Sequence, residues 1–336
     1  MDKPAMLIVG PSWVGDMVMA QALFKLLKMR WPQAEIDVLA PAWSLPIIAR
    51  MPEVREGLVA PAAHGELALG KLWQAGRSLR RRNYAQAIVL PRSLKAALIP
   101  VFARIPKRTG FRGEMRFGLI NDMHDLDERR LDQTVKRFLA LGLARHEALP
   151  DVPPPSLDVS VQNQRALFRR LKLATGRPAI ALMPGAEYGP AKCWPLEYFA
   201  SLAQMLTGAG YAVWILGSAK DRPAGEIIAA GGQALNLCGQ TELADVIDLL
   251  GHCEQAVTND SGLMHVAAAV GTRVIALYGS SSPDFTPPLT PDKVVHYLGV
   301  ECSPCFQREC PLGHFRCLRE ITAEAVFDSV LFRVAG

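Results

Sequence analysis

The second half of the chain alternates short apolar runs with segments of helical spacing, and this alternation constrains the fold more than any other feature. Residues 179–183 form an apolar run, and residues 195–207 carry apolar side chains at helical spacing before Gly208. The same alternation continues through 212–216, 221–230, 234–237, 241–250, 255–258, 261–270 and 274–278. It predicts a parallel sheet covered by helices.

The first half begins in the same way, with apolar runs at 6–9, 36–39 and 87–90 and a helical segment at 16–28. A proline-rich stretch, PDVPPP at 150–155, cannot form a helix and reads as a linker. A chain of 336 residues holds two cores at ~100–200 residues per domain. We therefore expect an α/β protein of two doubly wound, Rossmann-like domains facing each other across a cleft.

The predicted domains are 1–155 and 156–321, followed by a helix over 322–336. Its apolar residues lie on one face, so it should pack on a domain surface, either its own or that of the first domain.

Charge is divided unequally. The first 155 residues hold 23 Lys and Arg against 15 Asp and Glu, a net +8, and the remainder holds 14 against 17, a net −3. A basic half points to an anionic partner, whether nucleic acid, a membrane surface or a phosphorylated substrate, with solvated surface as the alternative. No uncharged apolar run approaches the ~18–20 residues of a membrane helix, and no signal peptide is evident, so we expect a cytoplasmic protein.

Seven cysteines in a chain of this kind should be reduced thiols. Four are clustered, Cys302, Cys305, Cys310 and Cys317. Their spacing differs from the two well-separated C-x2-C pairs of common zinc sites, so a structural zinc and buried reduced thiols both remain open.

A loop at 10–16, GPSWVGD, follows the first strand and opens the first helix. Gly10 and Gly15 are five positions apart with Pro11 and Trp13 between them, and the segment is not G-x-G-x-x-G, so it fits the dinucleotide fingerprint poorly. Asp16 at the start of the helix is either a carboxylate favoured by the helix dipole or a general base, and spacing alone favours the first role.

Two loops of the second half suit an anionic ligand. The Gly/Pro-rich loop at 184–195 contains Gly185 and Lys192, whose ammonium group could meet a diphosphate or simply face solvent. The segment TNDSGLMHVAAA at 258–269 places Asp260, Ser261 and Gly262 at a helix start, where free backbone N–H groups bind anions, and His265 one turn later.

A basic segment at 104–116 contains Arg108, Arg112 and Arg116 and lacks helical amphipathicity. It reads as a loop that presents guanidinium groups, which bind carboxylates and phosphates in a bidentate manner.

These loops together resemble one family. The resemblance rests on five segments in this order: GPSWVGDMVMAQALFKLL, RTGFRGEMRFGLIND, PGAEYGPAKCWP, GSAKDRPAGEII and TNDSGLMHVAAA. They resemble the ADP-heptose:lipopolysaccharide heptosyltransferases of glycosyltransferase family 9, and within it the heptosyltransferase II group. The resemblance covers essentially the whole chain and implies the two-domain arrangement called GT-B.

The family implies an inverting, metal-independent transfer of L-glycero-D-manno-heptose, without a cofactor. The donor would be ADP-heptose and the acceptor the first heptose of the lipopolysaccharide inner core on lipid A, with peripheral contact at the cytoplasmic face of the inner membrane and no nucleic acid as partner.

By the same resemblance Asp16 is the general base and Lys192 the catalytic contact of the donor diphosphate. Gly185, Asp260, Ser261, Gly262 and His265 complete the donor site. We assign Arg108, Arg112 and Arg116 to the acceptor because of their charge. Glu187 and Tyr188 replace small hydroxyl residues found in related enzymes, so the second diphosphate contact stays unassigned.

Two other classes compete. An NAD-dependent oxidoreductase would hold pyrophosphate at 10–15 and ribose at Asp37. A non-catalytic anion- or RNA-binding module would use the arginine clusters and show steep salt dependence.

Overall fold

A computed structural model describes residues 4–61, 68–174 and 176–332 of the chain. It divides into two compact units, Met1–Pro155 and Ser156–Gly336. The division falls at the end of the predicted proline-rich linker, where the Lys25 ammonium group on the first helix donates to the Pro154 carbonyl.

In the described part of the first unit, six strands form one fully parallel sheet. They are β1 (Ala5–Val9), β2 (Glu35–Ala40), β3 (Val54–Val59), β4 (Gln86–Val89), β5 (Lys107–Phe111) and β6 (Asp122–His124). The helices are α1 (Val14–Arg30), α2 (Leu45–Ile48), α3 (Leu69–Leu79), α4 (Leu94–Phe102) and α5 (Thr134–Ala140). The strand order is β3-β2-β1-β4-β5-β6.

The described part of the second unit also has six parallel strands, in the order β12-β11-β10-β7-β8-β9. They are β7 (Ala179–Met183), β8 (Ala212–Ile215), β9 (Leu235–Asn236), β10 (Gln255–Asn259), β11 (Arg273–Tyr278) and β12 (Lys293–Tyr297). The helices are α6 (Val161–Arg170), α7 (Leu196–Gly208), α8 (Arg222–Ala229), α9 (Leu243–Leu250), α10 (Gly262–Ala269), α11 (Arg316–Arg319) and α12 (Ala323–Leu331).

Both sheets thus follow the strand order of a Rossmann fold, and the predicted α/β class is confirmed. The order reverses between β1 and β4 in the first sheet and between β7 and β10 in the second. Loops that leave the carboxyl ends of such neighbouring strands form the usual ligand crevice. Asp16 lies in the first turn of α1, directly after the loop that follows β1, and the loops containing Lys192 and Asp260 follow β7 and β10.

Apolar packing explains why the central strands were visible in the sequence. All five residues of β7 and β10 and all six of β11 are buried, as expected for strands covered on both faces by helices. The edge strands β3 and β12 are mostly half-buried or exposed, and their sequences VREGLV and KVVHY lack a continuous apolar run. The sequence therefore does not mark β3 and β12 as strands.

The last helix belongs to the second unit. α12 packs on α7, and Val326 and Val330 lie in the core that includes Trp194 and Phe199. The described part of this helix thus packs on its own domain, one of the two surfaces that the sequence left open. The predicted range of 322–336 extends past the described residues, which end at 332.

Candidate active site

A buried ion pair lies where β7 and β10 end. Lys192, in a short 3-10 turn after β7, places its ammonium group on the carboxylate of Asp260, directly after β10. The side chains of Lys192 and Asp260 are 18% and 5% exposed. The cation and the anion thus neutralise each other in a largely buried position, and an incoming anion would compete with Asp260 for the ammonium group.

Asn259 connects the two loops that carry this pair. Its amide nitrogen donates to the Pro184 carbonyl at 2.6 Å, and its amide oxygen accepts from the Trp194 backbone N–H at 3.0 Å. Asn259 therefore holds the start and the end of the Lys192 loop against the end of β10. The sequence did not single out Asn259, because β10, QAVTN, also contains the polar residues Gln255 and Thr258.

The N-terminus of α10 is open beside the ion pair. Ser261 is the N-cap residue, but its side chain makes no capping hydrogen bond, and Gly262 begins the helix. The first N–H groups of a helix have no partner within the helix, and they carry the positive end of its dipole. This end of α10 is therefore suited to a phosphate group.

His265 lies one turn into α10 and is 4% exposed. Burial lowers its pKa to about 4, against the opposing effect of Asp260, so the imidazole is neutral at physiological pH. Within the described residues, the buried Nδ1 atom has no hydrogen-bond partner. A buried polar atom of this kind is unusual and marks a position that a ligand or water could satisfy.

Gly185 is packed against the loop after β8. A Cβ atom on Gly185 would lie 2.5 Å from a carboxylate oxygen of Asp221. That carboxylate accepts from the backbone N–H and the hydroxyl of Ser218, both at 2.8 Å. Gly185 is thus required for close approach between the two loops, and a direct contact with the donor stays a prediction.

The Asp16 loop stands at the corresponding edge of the first sheet. Asp16 lies half-buried in the first turn of α1. A Cβ atom on Gly10 would come within 2.6 Å of Met17, so glycine allows β1 and α1 to pack closely. The exposed Trp43 donates from its indole nitrogen to the Ser12 carbonyl at 2.9 Å and so fixes this loop to the segment after β2.

Comparison with known proteins identifies the family. Residues 72–316 match the family model of glycosyltransferase family 9 (heptosyltransferase). The chain belongs to that family.

Curated relatives agree with this family. Lipopolysaccharide heptosyltransferase 2 of Salmonella typhimurium strain LT2 is 46% identical over 336 residues, which cover 96% of this chain and 97% of the relative. The protein of the same name from Escherichia coli K12 is 45% identical over 338 residues, with the same coverage. Neither relative supports the oxidoreductase or the RNA-binding alternative.

A solved structure agrees as well. The chain superposes on that of E. coli ADP-heptose lps heptosyltransferase II with a TM-score of 0.88 and 43% identity over 97% of both chains. This glycosyltransferase therefore has the GT-B fold class that the sequence predicted.

The structure also shows why Asp37 does not serve as a ribose ligand in this heptosyltransferase. Its carboxylate is fully buried and accepts from the Arg55 guanidinium, the Arg82 guanidinium and the Tyr84 hydroxyl. These hydrogen bonds outweigh the effect of burial, which opposes the charged form, and hold the pKa of Asp37 below its usual value. The Asp37 carboxylate is thus already hydrogen-bonded to side chains of its own unit and is not available to a ribose.

The basic segment of the heptosyltransferase differs from the predicted loop. Residues 107–111 form β5, and Arg108 uses its guanidinium on the carbonyls of Ile105 and Leu119, at 2.5 and 2.6 Å. Arg116 is 1% exposed and donates to the carbonyls of Pro91 and Phe111. The interpretation of Arg116 as a group presented to an acceptor is wrong, because its buried guanidinium donates to backbone carbonyls. Arg108 is half-buried, and its contact with an acceptor stays a prediction.

Arg112 is the exposed member of the predicted trio. It follows β5, and its guanidinium lies 5.6 Å from the centre of the Phe117 ring. An acceptor contact by Arg112 stays a prediction.

We expect the two arginines to behave differently on substitution. Arg116→Ala should lower the free energy of unfolding by about 2 kcal/mol or more, since it leaves buried carbonyls without donors. Arg112→Ala should leave the unfolding midpoint unchanged and raise the KM for a phosphorylated acceptor in a salt-sensitive way. Thermal unfolding and acceptor titrations at two NaCl concentrations measure both effects. If Arg112→Ala has a normal KM for the acceptor, Arg112 is a solvated surface residue without a role in acceptor binding.

The four clustered cysteines come together in space. Cys302, Cys305, Cys310 and Cys317 line one cavity of about 50 Å³ in the second unit. All are free thiols. Among the described residues, no group of three or more His, Cys, Asp or Glu side chains is placed to hold a metal ion.

No helix in the described ranges has both the length and the apolar character needed to cross a membrane.

Proposed function

We propose that this enzyme transfers L-glycero-D-manno-heptose from ADP-heptose to the first heptose of the lipopolysaccharide inner core, on a lipid A-linked acceptor. The observation that carries the proposal is the Lys192–Asp260 pair beside the open end of α10, within a chain of the heptosyltransferase family. The second unit would bind the donor and the first unit the acceptor.

The donor site supplies what a departing nucleoside diphosphate requires. Negative charge grows on the diphosphate as the bond to the sugar breaks, and positive groups already in place stabilise it most. Lys192 would exchange Asp260 for a phosphate oxygen, and the backbone N–H groups at Ser261 and Gly262 would donate hydrogen bonds to another phosphate oxygen. Gly185 and the neutral His265 would line the same site.

Asp16 would remove the proton from the attacking hydroxyl. Inversion at the anomeric carbon needs one attack from the face opposite the leaving group, with one base to accept the proton. A carboxylate in the first turn of α1, at the point where strand order reverses, is the group of the first unit best placed for this role. Stabilisation by the helix dipole is compatible with it.

The acceptor is anionic and lies at a membrane surface, which fits the net +8 of the first 155 residues. Arg112 would meet its charged groups. We place the enzyme in the cytoplasm, in peripheral contact with the cytoplasmic face of the inner membrane. Protein side chains and N–H groups would supply the cationic contacts without a metal or cofactor.

The test is a direct assay of transfer. The purified enzyme is incubated with ADP-heptose and an acceptor bearing one heptose, and the product is weighed by mass spectrometry. We expect a gain of one heptosyl residue, equal activity with and without EDTA, and no reaction with the acceptor that lacks heptose. Absence of transfer would refute the proposed function, and an EDTA loss reversed by magnesium would refute the metal-free mechanism.

A further inference from the structure

The loop between β12 and α11, residues 298–315 and here called the return segment, comes back to the donor loops. The Ser303 hydroxyl donates to the Gly279 carbonyl at 2.5 Å, and the Phe306 N–H donates to the Ser280 carbonyl at 2.7 Å. Both acceptors directly follow β11, the neighbour of β10 in the sheet. The return segment is therefore anchored beside the strand ends that form the donor site.

Arg308 is fixed next to Lys192 by its backbone. Its carbonyl accepts from the Ala191 N–H at 3.0 Å, one residue before Lys192. A Cβ atom on Gly189 would lie 2.5 Å from the same carbonyl oxygen, and Gly189 has a φ of +150°. Only glycine suits both requirements. The position of Arg308 along the Lys192 loop is thus set by hydrogen bonding and by close packing.

Tyr188 links the two cations. Its hydroxyl donates to the Phe306 carbonyl at 2.6 Å, which orients the ring. The Lys192 ammonium nitrogen lies 5.1 Å and the Arg308 guanidinium carbon 5.4 Å from the ring centre. Both distances are within the range of cation–π attraction. One aromatic ring therefore holds two positive groups at the donor site.

The cations of this region differ in whether they form ion pairs with carboxylates. Lys192 pairs with Asp260, and the nearby Lys220 lies 3.3 Å from Glu187. Arg308 makes no ion pair with a carboxylate in the described part of the chain. A diphosphate ester has two negative charges, whereas the Lys192–Asp260 pair is neutral as a unit. Arg308 is thus a cation beside Lys192 with its guanidinium N–H groups available to phosphate.

We propose that Arg308 provides the second cationic contact of the donor diphosphate, and that Tyr188 positions its guanidinium. This inference rests on the proposed function and names a residue of the same site. It also explains why Tyr188 can replace a small hydroxyl residue. The tyrosine ring positions Arg308 to donate to the diphosphate, which a hydroxyl group would otherwise do. The alternative is an exposed arginine resting on a surface tyrosine.

The test compares Arg308→Ala with Arg316→Ala. Arg316 follows the return segment, is exposed and pairs with Glu320, so its removal controls for loss of a positive charge nearby. Calorimetry measures the Kd for ADP, and competition calorimetry against ADP measures the Kd for adenosine, the part without phosphate. We expect Arg308→Ala to raise the ADP Kd about tenfold or more. Its adenosine Kd should stay within about twofold, and Arg316→Ala should change neither.

Two further variants separate contact from support. Arg308→Lys should retain more ADP affinity than Arg308→Ala. Tyr188→Leu should weaken ADP binding when Arg308 is present, but it should cause little further loss of affinity when combined with Arg308→Ala. Equal losses for ADP and adenosine, or equal effects of Arg308→Ala and Arg316→Ala, would overturn the inference. If Arg308→Ala weakens ADP binding but the wild-type enzyme transfers no heptose, the proposed function fails and the diphosphate contact stands. If transfer occurs and Arg308→Ala binds ADP normally, only the inference fails.

Discussion

Asp16→Asn is expected to lower the turnover number about 100-fold or more while the Kd for ADP stays unchanged. The base acts on the acceptor hydroxyl, so its loss affects the transition state and leaves nucleotide binding intact. Asparagine keeps the shape and polarity of the side chain but cannot accept the proton. The measurements are kcat from steady-state transfer and the ADP Kd from calorimetry.

The same substitution removes a negative charge from the first turn of α1, an effect worth ~0.3–1 kcal/mol of stability. Thermal unfolding measures this separately. Asp132→Asn is the matched control, because Asp132 is an exposed carboxylate of the same unit that pairs with Lys136. A turnover number near that of the control would remove Asp16 from the role of base and leave it as a helix-dipole residue.

Lys192→Ala is expected to have the largest effect on the donor side, raising the ADP Kd about 100-fold and lowering kcat as well. The substitution removes a cation and also leaves the buried Asp260 carboxylate without its partner. An unpaired carboxylate at this position repels the incoming diphosphate. Turnover falls in addition because the charge on the leaving group grows in the transition state.

A double-mutant cycle identifies this coupling. Asp260→Asn alone should weaken ADP binding, since Lys192 loses the group that orients it. In Lys192→Ala, however, Asp260→Asn should restore part of the affinity by removing the repelling charge. Lys220→Ala is the control, because Lys220 is exposed and pairs with Glu187. Unchanged ADP affinity in Lys192→Ala and in Asp260→Asn would contradict the assignment of this pair to the donor site.

Local sequence was sufficient to predict the parallel sheet of each half, several of its central strands and the loops that follow β1, β7 and β10. The fully buried strands β7 and β11 appear as largely apolar runs, and the helices of the second half have apolar residues at helical spacing. These patterns depend on neighbours within a few residues, so the chain reveals them directly. The positions of Asp16, Lys192 and Asp260 at strand ends followed from the same patterns.

The partners of these residues were decided by tertiary structure. Arg112 and Arg116 have the same chemistry and lie four residues apart, but one is exposed and the other is buried among the carbonyls of Pro91 and Phe111. Nothing in the segment itself distinguishes them. The difference arises because β5 pairs with β4, which brings Arg116 under the loop that follows β4.

The sequence by itself determined the fold class, the order of strands and helices in each central region, and the loops to which we assign the donor site. Tertiary structure alone decided that Lys192 faces Asp260, 68 residues away, and that Tyr188 bonds to Phe306, 118 residues away. It likewise placed Arg308 beside Lys192 through the return segment. The physical reason is that secondary structure follows from short-range periodicity, whereas contacts between distant residues depend on strand order and on close packing at single positions such as Gly189.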